Sequence, residues 1–219
     1  ATRAIAPVYL GSDVQMDLTA LSPSGQALLV VTSVKGADEG KAGKMPKYVT
    51  ESGYEEFEDV RTRVGRNAPI AQSLKWVSPR TGAVLNVDLD NLPGIAVDPM
   101  AEFRKTQKLD ALKGNRPVRI DVIEFNASGT QAAVMLRAID NKDRWIATVD
   151  LANGKLQSQH RLTDAAWINW NFNEFGWLDN NTLWFMSEET GYAHLYTQVL
   201  GAKAKALTSG KWEASSPVW

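Results

Sequence analysis

A nucleophile elbow that presents a catalytic serine needs a G-x-S-x-G turn, because small flanking residues let the hydroxyl sit on a strained strand-to-helix bend. No such pentapeptide occurs in these 219 residues. Ser24, Ser128 and Ser209 each precede a glycine, but in β-turn wording. The two histidines offer little more. His194 lies between Tyr192 and Tyr196 in a predicted strand and reads as a hydrogen-bonded structural residue, and His160 reads as a solvated strand-end residue. With no cysteine, thiolate nucleophiles, disulfides and Cys-type metal sites are excluded together, and two histidines cannot build a multi-histidine metal centre. No catalytic residue, metal site or cofactor is therefore expected. Trp145, Trp167, Trp170, Trp177, Trp184 and Trp212 could stack on sugars or bases, but their alternation in predicted strands points to core packing with a polar edge at the rim. Arg61, Arg63 and Arg66 form the one small basic cluster, and solvent pairing with Glu55, Glu56, Glu58 and Asp59 accounts for it.

Composition narrows the classes further. Lys and Arg number 24 against 25 Asp and Glu, with no basic stripe for nucleic acid and no charge block for a disordered tail. Hydrophobic residues make up 44%, yet no apolar run approaches the roughly 20 residues that span a bilayer. No basic stretch followed by an apolar one opens the chain at Ala1, so no signal peptide is expected.

The elements that must position these residues are short strands joined by tight turns. Ala4–Leu10 and Val14–Leu18 read as a first hairpin, and Ser22-Pro23-Ser24-Gly25 as a turn feeding a strand from Ala27 to Val34. Residues 35–47, rich in Gly and Lys, read as an exposed loop. Tyr48–Thr50 and Asp59–Val64 are expected to pair around Gly53, and Ser73–Ser78 with Ala83–Leu89 across Pro79-Arg80-Thr81-Gly82. Asp98-Pro99 reads as a helix start, with the helix running from Pro99 to Lys113 and stopping at Gly114. Val118–Phe125, Gln131–Ala138, Arg144–Asp150 and Lys155–Leu162 then make one four-stranded unit, and the order begins again at Phe175. Gly129 and Asn180 hold equivalent turns about 50 residues apart, within the period of propeller repeats. Ser215–Trp219 reads as the start of another strand.

Within the second unit, S-E-E-T-G-Y-A-H-L-Y (Ser187–Tyr196) followed by A-L-T-S-G-K-W-E (Ala206–Glu213) resembles the N-terminal propeller of the prolyl oligopeptidase family of serine peptidases, in its dipeptidyl peptidase IV branch. The similarity runs from about Leu21 to Trp212, strongest at Ser22–Gly25, Asn126–Gly154 and Ser187–Glu213. It implies an all-β fold: a β-propeller fragment of about three to four four-stranded antiparallel blades with one short inter-blade helix near residues 99–113. The chain would be a single partial propeller, residues 1–219, with blade-like units near 1–97, 118–165 and 170–213 and a helical insertion at 98–115.

The resemblance also implies a function. In that family the propeller caps an α/β-hydrolase domain that carries the triad, so this chain is expected to be the non-catalytic, substrate-gating portion of a peptidase acting on oligopeptides. Its partners would be peptide substrates, reached through that hydrolase domain, and further copies of itself through bare blade edges. No nucleic-acid partner and no membrane span is expected. A periplasmic or exported bacterial location suits the lack of cysteine, and a cytoplasmic one is compatible with it. In dipeptidyl peptidases two propeller glutamates hold the substrate's free amine by charge-assisted hydrogen bonds. Glu188-Glu189 falls in a different segment and reads as a turn. Glu55-Glu56, within Tyr54–Glu58, is locally similar to the anchor, although the family's pair precedes the S-P-x-G strand that Glu55 follows. Two readings of Glu55 and Glu56 stay open: a substrate N-terminus site, or a solvated edge hairpin. The rival to the whole scheme is a stand-alone TolB-type propeller that binds without catalysis.

Overall fold

The computed structural model describes residues 7–36, 42–62 and 70–217. Three four-stranded antiparallel sheets follow one another along the chain, as consecutive blades of a β-propeller. The first holds β1 (Val14–Leu21), β2 (Leu28–Val34), β5 (Ser73–Val77) and β6 (Val84–Asn86) in that order. A two-stranded hairpin, β3 (Ala42–Lys47) with β4 (Glu56–Thr62), is inserted between β2 and β5. The second sheet is β7 (Val118–Phe125), β8 (Gln131–Ala138), β9 (Asp143–Asp150) and β10 (Leu156–Thr163). The third is β11 (Phe175–Trp177), β12 (Thr182–Ser187), β13 (His194–Val199) and β14 (Lys205–Ala206).

The middle sheet explains the stacking. The central residues of β8 and nearly all of β9 are buried on both faces, so these strands read as continuous apolar runs rather than alternating ones. Ala132, Val134, Leu136, Trp145, Ala147 and Val149 pack with Leu29, Val31, Leu74 and Trp76 of the first sheet. Ala133, Met135 and Ile146 pack with Phe175, Leu183, Phe185 and Tyr196 of the third. Period-2 geometry delivers successive residues to opposite cores.

The turns between first and second strands are stitched together. Ser24 Oγ donates to Gly129 O (3.4 Å), Asn126 Nδ2 to Asn180 O (3.1 Å) and Ser128 N to Asn180 Oδ1 (2.8 Å). Three equivalent turns, at Ser22–Gly25, Asn126–Gly129 and Asp179–Asn181, thus form a continuous polar row at one end of the sheets. Antiparallel alternation places the second-to-third strand connections and the links between sheets at the opposite end. That end carries the β3–β4 hairpin, residues 139–142, 164–174 and 188–193, and the helix.

Several sequence expectations need correction. The pairing around Gly53 is real, but its strands lie farther from the turn: Ala42–Lys47, expected to be loop, pairs with Glu56–Thr62, while Tyr48–Thr50 belongs to the turn region. Exposed charge pairs accompany this register, with Lys44 Nζ 2.5 Å from Asp59 Oδ1 and Lys47 Nζ 3.9 Å from Glu58 Oε2. β1 pairs with β2 rather than with residues 4–10, of which 4–6 lie outside the described residues and 7–10 form no strand. The helix α1 is only Ala101–Thr106. Lys108 adopts φ 53°, its N–H bonds Lys105 O (3.2 Å) and the Leu109 N–H bonds Arg104 O (2.9 Å), a Schellman-type stop well short of Gly114. Asp98 still anchors the start, accepting from Met100 N (2.9 Å) and Arg104 Nε (2.9 Å). Residues 215–217 form no strand, and 218–219 are outside the described residues.

Trp76 reaches from the first sheet to the β9–β10 turn, where its Nε1 donates to Leu151 O (2.9 Å) and its side chain lies against Gly154. A Cβ on Gly154 would sit 3.1 Å from Trp76 Cβ, whereas one on Gly82 meets nothing, and both glycines have φ 73°. Each Ala substitution pays the left-handed strain of about 1 kcal/mol. Gly154→Ala is expected to lose a further 1 kcal/mol or so by crowding the seam, and urea midpoints of the two variants measure the difference.

Candidate functional site

The chemically richest part of the molecule is the end bearing the long connections, where the second and third sheets meet. Two β-bulges aim residues into that seam. Register slips at Asp121 in β7 and at Gln159 in β10. Before its bulge β10 turns Leu156 toward the first sheet; after it, His160 opposes Ile146 and faces the third. The same slip in β7 leaves Ile120 opposite Leu136 of the first core and Val122 opposite Met135 of the second.

Arg144 is fully buried in this seam. Its Nη1 donates to Asn173 Oδ1 and to Met186 O, both at 2.8 Å, and its Nη2 lies 3.1 Å from His160 Nδ1. His160 Nε2 lies 2.8 Å from Glu189 Oε2, to which Ser187 Oγ donates at 3.3 Å. Loss of solvent brings the Arg144 pKa down to about 10, against the pull of Glu189 and Glu188. Burial likewise lowers His160, and the hydrogen bond from His160 holds Glu189 below the usual carboxylate range. Burial raises Glu188, with Glu213 and Asp164 adding like charge.

Beside this cluster a cleft of about 400 Å³ is lined by Asp121, Val122, Met135, Arg137, Trp170, Asn171, Asn173 and Glu174. The 3₁₀ turn Trp170–Phe172, capped by Asn169 Oδ1 accepting from Asn171 N, presents Trp170. The Arg137 guanidinium lies 5.1 Å from that ring's centroid and pairs with Asp121 at 2.9 Å. Trp170 Nε1 donates to Asn141 Oδ1 (3.2 Å), which fixes the indole edge. The cleft thus combines an aromatic wall, two apolar side chains, two amides and two carboxylates, of which Asp121 is already paired with Arg137.

A second ionic knot ties the link between the first two sheets. Asp143, 3% exposed, accepts from Arg116 Nη2 and Arg161 Nε, both at 2.6 Å, and Arg116 Nη1 lies 3.2 Å from Asp140 Oδ2. Trp145 Nε1 donates to Pro93 O (2.9 Å), and the Arg161 guanidinium occupies the space a side chain at Gly94 would need.

Of the residues singled out in the sequence, Glu55 and Glu56 are exposed at the β3–β4 hairpin, Glu56 Oε1 accepting from Ser52 Oγ (2.7 Å). The hairpin lies at the same end of the sheets as the cleft. Arg63, Arg66 and the side chain of Arg61 lie outside the described residues; Asp59 pairs with Lys44 and Glu58 with Lys47. His194 is buried, with Nδ1 3.1 Å from Thr208 Oγ1 and Nε2 3.0 Å from Gly210 O. His160 departs from expectation: it is neither solvated nor at a strand end, its side chain being 9% exposed within β10. Glu188 and Glu189 do occupy a turn, but Glu189, itself exposed, bonds His160 at the outer end of the Arg144 network. Trp145 packs in the core as expected, whereas Trp167 is 65% exposed, Trp212 lies outside any strand and Trp170 walls the cleft. Arg144 escaped the sequence reading, although an arginine inside the run D-R-W-I-A-T-V-D is a signal, since a cation there requires built-in partners. Among the described residues no cluster of His, Asp or Glu could hold a metal ion.

A family model described as the dipeptidyl peptidase IV (DPP IV) N-terminal region matches residues 100–219. No curated protein matches the chain in sequence. Among solved structures the chain is similar to the dipeptidyl peptidase 4 of Porphyromonas gingivalis, with 17% identity and a TM-score of 0.60 over 91% of this chain and 25% of that one. It is also similar to a protein assigned as a dipeptidyl aminopeptidase IV from Bacteroides ovatus, with 14% identity and a TM-score of 0.56 over 93% of this chain and 30% of that one. The chain therefore spans between a quarter and a third of the length of these two relatives, and at such identities the likeness is one of fold.

Replacing Arg144 by Met removes the donor on which Met186 O, Asn173 and His160 depend. Arg144→Met is expected to cost about 3 kcal/mol or more. Arg137→Met, at a partly exposed pair, is expected to cost about 1 kcal/mol. Denaturant titration of the two variants checks the ordering.

Proposed function

This chain belongs to the family of dipeptidyl peptidase IV N-terminal regions, and we propose that it is the non-catalytic, substrate-gating part of a serine peptidase of the prolyl oligopeptidase family that hydrolyses oligopeptides. The family match over residues 100–219 carries this reading, since it takes in the whole second and third sheets and the cleft that the second sheet forms with the link between them. Acyl transfer belongs to a separate hydrolase domain with its own triad and oxyanion hole. The propeller's part is steric and electrostatic. Its sheets limit entry to short or unfolded peptides, and carboxylates at the hairpin end draw in the substrate's ammonium.

Two groups of carboxylates at that end suit this task. Glu55 and Glu56 stand on the hairpin, exposed and adjacent, and Asp121 and Glu174 line the cleft beside Trp170. An ammonium held between two carboxylates gains charge-assisted hydrogen bonds that an acetylated N-terminus cannot make. Asn171 and Asn173 supply amides for the peptide backbone, and Val122, Met135 and Trp170 an apolar surface for a side chain.

The purified chain is expected to show no turnover of aminoacyl-prolyl chromogenic substrates, and the coding sequence of its parent to carry G-x-S-x-G followed by Asp and then His. Turnover by the chain itself, or a parent without that motif, would sink the proposal. A short oligopeptide with a free amine is expected to bind the chain about tenfold more tightly than its acetylated form in calorimetric titrations. The double variant Glu55→Gln/Glu56→Gln should erase that preference if the hairpin is the anchor; a preference that survives it and is lost in Asp121→Asn/Glu174→Gln assigns the anchor to the cleft.

A further inference from the structure

The protonation state of His160 follows from its neighbours. A guanidinium carries donors and no acceptor, so Nδ1, 3.1 Å from Arg144 Nη2, must accept and carry no proton. The imidazole proton then resides on Nε2 and is donated to Glu189 Oε2 at 2.8 Å. The ring is held in this orientation by Phe185, whose centroid is 4.3 Å away and which itself stacks on Tyr196. The neutral Nε2–H imidazole is therefore the one form that satisfies both sides. A second proton can enter only at Nδ1, where it would set donor against donor and cation against cation inside a buried seam.

We propose that His160 is a proton-operated latch between the second and third blades: neutral, it bridges Arg144 of β9 to Glu189 of the β12–β13 turn, and protonated on Nδ1 it separates from Arg144 and swings outward with Glu189. The charged and titratable groups around it are Arg144 from β9, Glu188 and Glu189 from the turn, and the Tyr196 phenol from β13. Arg144 keeps its bonds to Met186 O and Asn173, so the third sheet stays docked while the turn at residues 188–193 is freed. Glu189 stays ionised in mild acid, because its pKa is held below the usual range, and so it follows the new imidazolium.

The direction in pH is fixed by linkage. Burial lowers the folded His160 pKa beneath its ordinary 6.5, so the folded chain takes up this proton less readily than the unfolded one. The latch's contribution is fully present above 6.5 and is lost as pH falls from there through the folded pKa. The consequence is an acid-sensitive seam at the end of the sheets that bears the cleft, whatever ligand the cleft accepts.

His160→Gln is the discriminating variant. Its Oε1 can accept from Arg144 and its Nε2 can donate to Glu189, but it cannot titrate. Amide hydrogen exchange at Glu189 and Gly191, corrected for the intrinsic pH dependence, is to be followed from about pH 7.5 to 5. In the unaltered chain, protection is expected to fall up to about tenfold per pH unit once His160 titrates, and in His160→Gln to stay level. Constant protection in the unaltered chain, or an equal fall in both, overturns the proposal. Should His160→Gln not fold, the imidazole ¹⁵N shifts of the unaltered chain at neutral pH decide: an unprotonated Nδ1 supports the latch, and a protonated Nδ1 ends it.

Discussion

A sheet of β8–β9 composition has no face it can give to water, and the rest of the chain is arranged to cover both. Ala132, Val134 and Leu136 point one way from β8 while Ala133 and Met135 point the other, and each set requires its own partner sheet. Each buried aliphatic side chain contributes roughly 1.5–3 kcal/mol, so neither neighbour can be given up cheaply. The outer sheets meet a weaker demand. β1 holds only half-buried and exposed positions, and β6 and β14 are only a few residues long. Three layers in sequence order are the least arrangement that satisfies the middle one.

Apolar packing would allow the sheets to slide and rotate, and the polar seams remove that freedom. At the tight-turn end, Ser24, Gly129, Asn126, Ser128 and Asn180 exchange neutral hydrogen bonds, short-range and indifferent to pH. At the opposite end the ties are ionic: Asp143 between Arg116 and Arg161 on one seam, and Arg144 with His160 and Glu189 on the other. Burying such groups stabilises little in net terms, because desolvation offsets most of the Coulomb gain. What they supply is position. A wrong alignment leaves a charge unpaired in a dry interface, a penalty of several kcal/mol against every register but one.

The order of turns and strands was legible in the sequence because it depends on local chemistry: Pro and Gly at fixed turn positions, Asn and Asp bonding their own backbone, and apolar runs between them. Three features were not. The β3–β4 hairpin pairs a segment whose Gly- and Lys-rich composition is characteristic of loops. The length of α1 depends on Lys108 accepting a left-handed φ, which no propensity scale assigns to lysine. His160 was missed because a single inserted residue at Gln159 inverts the alternation of β10, sending to the third sheet a side chain that strict period-2 counting assigns to the first. Of the candidate site, the Glu55-Glu56 pair could be read directly as neighbouring carboxylates. The cleft could not, since Asp121 of β7 and Arg137 of β8 meet Trp170 and Glu174 only where the link to the third sheet folds back on the second.

The bulges also explain how side chains reach the seam beside the cleft. A bulge increases local twist and redirects side chains, and both bulges of the second sheet lie in its outermost strands, β7 and β10, at residues bordering the seam with the third. They bring Val122 and His160 into that seam, the first lining the cleft and the second holding the ionic network. Without the slips, strict alternation would have turned His160 and Val122 toward the first sheet. The two irregular outer strands of the second sheet therefore belong to the same construction as the site itself: neutral turn bonds tie the sheets at one end, and at the other the slips in β7 and β10 deliver the side chains that line the cleft and make the ionic tie.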